Sequence, residues 1–136
     1  MASLVCDIVT PAKSQFSEEC YMVAVPGTGG HMGFLPGHAP LMSTLADGEV
    51  RIFSDASTLT HSFACQGGYV QVTGEKVIVL ADRTMAAEDI DATEVAAKIK
   101  ELQAAFDATA EDSVERSVVE YDLRWYKTLE SVAGGN

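Results

Sequence analysis

The segment GGYVQVTGEKVIVLAD, residues 67–82, shows how the first part of this chain folds. Apolar residues alternate with other types in YVQVTG (69–74), and VIVLAD (77–82) is a second run rich in β-branched residues. Such runs are typical of strands with one buried face. The TGEK stretch between them (73–76) is a tight-turn signal, because Gly74 can adopt the positive φ that such turns require. The segment therefore predicts a β-hairpin.

The same period of two extends through most of residues 3–82. Leu4, Cys6 and Ile8 alternate with residues that would face the other side of a strand. Further runs of this kind are CYMVAV (20–25), GEVRIF (48–53) and THSFAC (60–65). Many short strands with frequent turns favour an antiparallel β-sandwich or barrel. No part of this half has the length or period of a helix, which excludes a nucleotide-binding fold of alternating strands and helices.

The period changes after residue 88, where apolar residues recur every three or four positions. Asp91 precedes this region with Glu94 three residues later, which predicts a helix N-cap close to a capping box. A polar link, DATAED (107–112), separates two amphipathic helices, and Gly134-Gly135 ends the second. The apolar stripes are Val95, Ile99, Leu102 and Phe106 on the first helix, and Val114, Val118, Tyr121, Trp125, Leu129 and Val132 on the second.

The two periods predict a β domain at residues 1–86 and an antiparallel helical hairpin at residues 87–136. Each helix carries an apolar stripe that must be covered. The helices can pack on each other, on the β domain or on a partner protein. Tyr121, Trp125 and Tyr126 fit the apolar seam of the hairpin, and they also fit an anchor on a partner, since aromatic residues dominate interface hot spots.

Composition and charge exclude several classes of function. The 136 residues are 47% apolar and 21% charged, as in a globular protein. A net charge of −11 repels nucleic acid and anionic lipid, so neither nucleic-acid binding nor lipid insertion is expected. No run approaches the ~18 apolar residues of a membrane span, and residues 1–11 lack the pattern of a signal peptide. Cys6, Cys20 and Cys65 lack metal-site spacing, which indicates buried free thiols inside a cell.

A glycine-rich segment, GTGGHMGFLPGHAPL (27–41), raises the question of phosphate binding. It lacks the GxxxxGK[ST] pattern of a phosphate-binding loop and the GxGxxG spacing of a dinucleotide site. Gly27, Gly30, Gly33 and Gly37 instead allow backbone angles closed to other residues, while prolines stiffen the chain between them. The segment is therefore interpreted as a rigid, shaped surface loop.

No catalytic or metal-binding constellation is present in the sequence. His31, His38 and His61 match no ligand spacing and have no cysteine or carboxylate at helical distance to complete a set. Serine, histidine and aspartate all occur, but without a GxSxG nucleophile motif. An unrelated small β-barrel enzyme would need a cluster that is not found. No metal, no cofactor and no catalytic residues are expected.

Four motifs taken together resemble one family, the epsilon subunits of F-type ATP synthases. This family comprises the bacterial and chloroplast epsilon subunits and the mitochondrial delta subunit. The motifs are GFLPGHAPL (33–41), GEVRI (48–52), GGYVQV (67–72) and VIVLAD (77–82). The likeness extends over essentially the whole chain, because its length and the helical pattern of residues 88–133 also agree.

The resemblance implies a ten-stranded β-sandwich followed by two helices. It implies a non-catalytic rotor subunit in the central stalk of a proton-translocating ATP synthase, bound to gamma and resting on the c-ring. The complex would place the chain peripherally at the cytoplasmic face of the plasma membrane. The family's loop facing the ring matches Gly29, His31, Met32, Gly33, Phe34, Leu35, Pro36, Gly37, His38, Ala39, Pro40 and Leu41.

The resemblance also implies a mobile hairpin, which can lie folded on the sandwich or extend along gamma to the alpha/beta hexamer, where it impedes ATP hydrolysis. Some bacterial relatives bind ATP through [I/L]-D-x-x-R-A at the start of the first helix. Ile90 and Asp91 agree with that pattern, but Glu94 replaces the arginine and Val95 the alanine. An acid in place of a phosphate-facing cation repels the ligand, so no ATP binding is expected. An ATP-sensing switch is the second hypothesis.

Charge is the other departure from the family. Inhibitory tails tend to carry basic residues, whereas residues 91–136 hold ten acidic and five basic residues. Arg116, Arg124 and Lys127 are the cations on the second helix that could make inhibitory contacts. Each exposed pair is worth about 1 kcal/mol or less. Weak or absent electrostatic latching of this tail on the catalytic head is therefore expected.

Overall fold

The computed structural model describes residues 3–134, which form two β-sheets followed by two helices. The predicted fold class is confirmed. The strands are β1 Leu4–Val9, β2 Ser14–Cys20, β3 Met22–Gly27, β4 Gly30–Phe34, β5 Leu41–Thr44, β6 Gly48–Phe53, β7 Leu59–Gln66, β8 Tyr69–Val72, β9 Lys76–Leu80 and β10 Arg83–Ala86. The two ends of the predicted domains, at residues 1 and 136, and Gly135 of the predicted terminal glycine pair lie outside the described residues.

The ten strands form two sheets of five, packed face to face. The first sheet has the order β2-β1-β9-β8-β5, and the second has the order β10-β7-β6-β3-β4. Within named strands, all pairs are antiparallel except β1 with β9, which run parallel. The expectation of an antiparallel sheet is wrong at this pair. Parallel neighbours need a long connection, and here the seven strands between β1 and β9 provide it.

The core lies between the sheets and follows directly from the period of two. Leu4, Cys6 and Ile8 on β1 are all 0% exposed, as are Val77 and Val79 on the neighbouring strand β9. Each of the Leu, Ile and Val side chains among them contributes about 1.5–3 kcal/mol through burial. The predicted hairpin is also present: β8 pairs with β9, and the Thr73 amide donates to the Lys76 carbonyl at 3.0 Å.

Two strand predictions differ from the structure. The run CYMVAV (20–25) is not one strand, because the chain crosses from the first sheet to the second at Tyr21. The glycine-rich segment is not one loop either, since Gly30–Phe34 forms β4 and pairs with β3. The glycines of β4 have no side chain, so they hide its alternation of apolar and polar residues. The change of sheet at Tyr21 does not interrupt the alternation in CYMVAV, so the pattern of apolar residues does not reveal it.

The helices are α1, Ala92–Ala108, and α2, Val114–Ala133. Asp91 caps α1 as predicted, accepting from the Thr93 amide at 3.0 Å and the Glu94 amide at 3.1 Å. The link is residues 109–113 rather than 107–112, and Ser113 caps α2. Among the helices of residues 3–134, neither is long and apolar enough to cross a membrane.

The hairpin lies against the second sheet of the sandwich. Helix α1 packs mainly on α2, and α2 lies against β6 and β7. The predicted stripe of α2 is therefore buried only in part. Val114 and Val118 are 77% and 56% exposed, whereas Leu123, which is outside the stripe, is buried. Of the three ways to cover the stripes, the structure uses two together: helix on helix and helix on sandwich.

Candidate functional site

The residues predicted to face a partner do not form one surface. Gly29 and His31 lie beside the β3–β4 turn, and His31 borders a groove shared with Arg124 and Lys127 of α2. Residues 35–41, here called the 35–41 turn, lie at the other end of β4. The strand places about 13 Å between these ends at the usual rise per residue. The structure therefore brings Leu35 to Leu41 together and separates them from Gly29 and His31.

The 35–41 turn is held in shape by hydrogen bonds and a ring contact. The Gly37 amide donates to the Gly74 carbonyl at 2.8 Å, which ties this turn to the β8–β9 turn. His38 Nδ1 donates to the Ala39 carbonyl at 2.7 Å, and its ring meets the Phe34 ring edge-on at 5.0 Å. Leu35 stays 44% exposed. The result is a stiff turn that presents an apolar side chain.

The structural requirement for glycine differs between positions of the glycine-rich segment. Gly30 and Gly37 have φ values of +130° and +85°, as the sequence predicts. Gly27 has no positive φ, but a Cβ there would lie 2.6 Å from Met32 Cε and 2.7 Å from the Gly30 carbonyl oxygen. At Gly33 the backbone has no positive φ and a Cβ would fit, since it would meet only Met22 Sδ at 3.9 Å. The predicted backbone requirement is therefore wrong at Gly27 and Gly33.

A second exposed surface lies on the outer side of the first sheet, and sequence reasoning missed it. Met42, Tyr69 and Leu80 are 63%, 52% and 40% exposed there. Tyr69 and Leu80 are direct cross-strand partners, and Val9 pairs with Leu80 on the other side. The helices cover the other sheet, so nothing in residues 3–134 covers these side chains. Large apolar side chains left exposed together on one face of a sheet are typical of interaction surfaces.

A signal for this apolar face, defined by Val9, Met42, Tyr69, Ile78 and Leu80, is present in the sequence. In a sheet with one wet face, the outward positions of a strand are polar. The run VIVL carries apolar residues at inward and outward positions alike, with Ile78 and Leu80 outward. The excess of apolar outward positions is the observation that could have located the surface.

The hairpin docks through a small apolar cluster on the second sheet. Trp125, Leu129 and Val132 of α2 pack with Val95 of α1 and Ala64 of β7, all at most 7% exposed. Tyr126 and Ile90 pack against this cluster from its edge. The sequence left two interpretations of the aromatic residues open: an apolar seam within the hairpin, or an anchor on a partner protein. Trp125 instead serves a joint seam between the two helices and the sandwich.

Polar contacts surround the docking cluster. Arg124 donates twice to Asp47 Oδ2, at 3.0 and 2.9 Å, while Asp47 Oδ1 accepts from the Gly67 amide at 3.0 Å. Arg83 on β10 donates to Asp122 at 2.6 Å. The Arg83–Asp122 and Arg124–Asp47 pairs join residues 39 and 77 positions apart in the chain, so no local sequence signal could have found them.

Tyr121 is at the centre of this polar rim. Its hydroxyl donates to Asp82 Oδ2 at 3.1 Å, and the Arg83 guanidinium lies over its ring at 4.7 Å. Burial, followed by the hydrogen bond to the Asp82 carboxylate, raises the pKa of the Tyr121 phenol. The phenol therefore remains a hydrogen-bond donor throughout the physiological range.

The cations predicted to make inhibitory contacts have other roles in the docked hairpin. Arg124 is paired with Asp47. Arg116 lies over the Phe106 ring at 4.0 Å and donates to the Thr109 carbonyl at 3.3 Å, which holds the link between the helices. Lys127 lines the groove between α2 and the β3–β4 turn. In the docked hairpin, a partner carboxylate would compete with Asp47 for the Arg124 guanidinium.

The four residues compared with the ATP-binding pattern, Ile90, Asp91, Glu94 and Val95, lie at the start of α1. Asp91 uses its side chain as the N-cap, Val95 is buried in the docking cluster, and Ile90 packs against that cluster. Glu94 is exposed. Three of the four residues therefore have structural tasks that account for their presence without a ligand.

The cysteines are buried and protonated. Cys6, Cys20 and Cys65 are free thiols in the sandwich core, as predicted. Burial raises the pKa of Cys65 to about 11, and burial also raises the pKa of Cys6 and Cys20. Thiols in this state are poor nucleophiles. Within residues 3–134 no group of histidine, cysteine, aspartate or glutamate side chains is arranged to hold a metal ion.

Comparison with known proteins gives consistent matches along the chain. Residues 3–87 match the family model described as the ATP synthase delta/epsilon chain, β-sandwich domain. An ATP synthase epsilon chain of Dehalococcoides mccartyi is 45% identical over 91 residues, which span 67% of this chain and 64% of that relative. The epsilon chain of Granulibacter bethesdensis is 33% identical over 124 residues, 87% of this chain and 91% of that one.

A solved structure shows the same fold. A chain in the Euglena gracilis mitochondrial ATP synthase, in an assembly with OSCP, F1 and the c-ring, superimposes with a TM-score of 0.78 at 20% identity. The superposition covers 96% of this chain and 81% of that chain. It therefore includes the helical hairpin as well as the sandwich.

Proposed function

Because this chain belongs to the ATP synthase delta/epsilon family, we propose that it is a non-catalytic rotor subunit of the central stalk. In this role it links gamma to the c-ring and couples proton flow to ATP synthesis. It is a peripheral member of the complex, at the cytoplasmic face of the plasma membrane. Catalysis belongs to the beta subunits, and the chain needs no cofactor.

The observation that carries the proposal is the apolar face on the outer side of the first sheet. Tyr69 and Leu80 expose large apolar side chains as direct cross-strand partners, and Met42 is exposed on the same side of this sheet, opposite Gln71. Nothing among residues 3–134 covers them, whereas the opposite sheet is covered by α2. We assign this face to gamma. A flat apolar surface on a stiff sandwich suits a permanent contact that transmits torque.

The 35–41 turn is assigned to the c-ring. It is tied to the β8–β9 turn by the Gly37–Gly74 hydrogen bond and presents the exposed side chain of Leu35. Leu41 and Met42 follow directly and connect the turn to the apolar face. Gamma and the ring would thus contact adjoining parts of one continuous surface, as expected at the foot of a stalk.

Charge on the apolar face should weaken binding to gamma strongly. The double variant Tyr69→Asp, Leu80→Asp is expected to weaken co-purification with gamma at least ~30-fold. It removes an aromatic anchor, and it would bury unpaired carboxylates in the interface. The measurement is the dissociation constant of the purified chain for gamma, or for an alpha-beta-gamma complex, by interferometry.

Leu59→Asp is the matched control, because Leu59 is 49% exposed but begins β7 on the other sheet. It should bind gamma like the unchanged chain. If the double variant binds equally well, gamma does not use the apolar face. If the unchanged chain does not bind gamma at all, the rotor assignment itself is wrong.

The docked hairpin supports a regulatory role as well. In the released state, Arg124 and Lys127 would be available to reach the alpha/beta hexamer and impede ATP hydrolysis. The acidic residues around them oppose that contact. We therefore propose that inhibition by this tail is weak.

An ATP-sensing switch is the alternative function, and Glu94 argues against it. The carboxylate is exposed at the first turn of α1, where a phosphate group would need a cation. Isothermal titration of the isolated chain with ATP is expected to give no heat of binding up to millimolar concentration. Glu94→Arg is the companion variant, because it restores the arginine of the ATP-binding pattern. Micromolar binding by the unchanged chain would establish the sensor.

A further inference from the structure

The docked hairpin is attached to the sandwich by one helix and a small cluster. Helix α2 makes the contacts with β6 and β7, while α1 rests mainly on α2. The chain between β10 and α1 is short, residues 87–91, and includes a 3₁₀ turn at Ala87–Asp89. The hairpin thus meets the sandwich through one small apolar cluster and a part-exposed polar rim, and units with few buried apolar contacts open at a lower free energy than the whole domain.

A buried amide lies beneath α2 at the docking surface. Gln66, at the end of β7, is 0% exposed and is the sole polar residue in the buried set of residues 3–134. Its Nε2 donates to the Tyr121 carbonyl at 2.9 Å. Its Oε1 is fully shielded and accepts from no group in the described chain. The side chain therefore makes one hydrogen bond where a solvated amide makes several.

The hydrogen bond from Gln66 Nε2 to the Tyr121 carbonyl compensates only weakly for the lost hydration of the Gln66 amide. The Tyr121 carbonyl lies inside α2, where it also accepts the helical hydrogen bond from four residues onward. Losing the Gln66 donor would not leave that carbonyl unpaired. The shielded Oε1, in contrast, carries the full cost of lost hydration while α2 is docked. That cost disappears when α2 lifts and water reaches the amide.

We propose that Gln66 keeps the docking of the hairpin reversible: its unpaired oxygen destabilises the docked state, and its hydration favours the released state. The apolar cluster around Trp125 and Leu129 favours docking, and Gln66 brings the two states closer in free energy. A side chain of the same length without the oxygen would hold the hairpin down. This property belongs to the chain alone and does not depend on the rotor assignment.

Gln66→Met tests the proposal in the isolated full-length chain. Met has a similar length and no strong acceptor, so the ratio of docked to released hairpin should rise about tenfold. Trp125 is the one tryptophan of the chain and is 6% exposed when docked, so its fluorescence reports release. A urea titration of Trp125 emission and acrylamide quenching should show a midpoint at higher urea than in the unchanged chain.

Two further variants make the result specific. Gln66→Leu removes the same oxygen with a different shape and should move the midpoint in the same direction. Gln71→Met is the matched control, because Gln71 lies on β8 of the first sheet, away from the hairpin. It should leave the Trp125 transition unchanged.

Release of the hairpin can be distinguished from unfolding of the sandwich. Deuterium exchange of segments 4–9 and 76–80, measured in the same urea, shows whether the sandwich is still folded when Trp125 becomes exposed. An unchanged or lower midpoint in both Gln66 variants would overturn the proposal, since it would mean that Oε1 is satisfied, for instance by a trapped water. A single transition that unfolds the sandwich and frees Trp125 together would also overturn it.

Discussion

Replacing Gly68 by alanine is expected to prevent the sandwich from folding, or to lower its free energy of unfolding by about 4 kcal/mol or more. Gly68 has a φ of +100°, and a Cβ there would lie 1.8 Å from the Leu80 carbonyl oxygen. The obstructing atoms belong to the backbone of β9 and the residue after it, so no side chain can move aside. The Gly68 carbonyl also accepts from the Leu45 amide at 2.9 Å. The measurement is urea unfolding followed by far-UV circular dichroism.

Two other glycines give a graded control series. Gly29→Ala should change the free energy of unfolding by less than ~0.5 kcal/mol, because nothing lies within 4 Å of its Cβ position. Gly37→Ala has equal space but a φ of +85°, so only the conformational strain of about 1–2 kcal/mol should appear. A stable Gly68→Ala variant would show that the β7–β8 connection can shift away from β9.

Replacing Leu129 by alanine is expected to release the hairpin from the sandwich. Leu129 is 1% exposed in the docking cluster, and truncating such a side chain costs about 2–5 kcal/mol. The polar rim cannot compensate, because part-exposed pairs such as Arg124–Asp47 contribute little when screened by solvent. Trp125 emission should shift to the red and become accessible to acrylamide, while circular dichroism should show that the helices and sandwich persist.

Val114→Ala is the control on the same helix. Val114 is 77% exposed in the first turn of α2, and its truncation should leave Trp125 shielded. Equal shielding of Trp125 in the Leu129 variant would contradict the view that this cluster holds the hairpin. It would place the weight of docking on the polar contacts around Tyr121 instead.

The strands and helices that the sequence predicted best are those with strong local periodicity. Leu4, Cys6 and Ile8 are buried as their alternation predicts. Asp91 caps α1 because an N-cap depends on residues within one turn of the helix. β4 was missed because two of its five residues are glycines, whose lack of a side chain removes the apolar-polar contrast.

The candidate surfaces were predicted less completely. The glycine-rich segment was correctly identified as exposed in the 35–41 turn, but β4 carries Gly29 and His31 to the opposite end of the sheet. The apolar face requires knowing which side of the first sheet the helices cover. Gln66 alternates with apolar residues like any outward position, and only the placement of α2 on β7 makes it buried.

By itself the sequence determined that a sandwich of short strands precedes two amphipathic helices, and that the first of them begins after Asp91. These features depend on the spacing of side chains within one element, which is a local property. The tertiary structure alone decided the parallel pairing of β1 with β9, the docking of α2 on β6 and β7, and the shielded oxygen of Gln66. Each of these joins segments far apart in the chain, and packing selects among arrangements that the local pattern leaves equally acceptable.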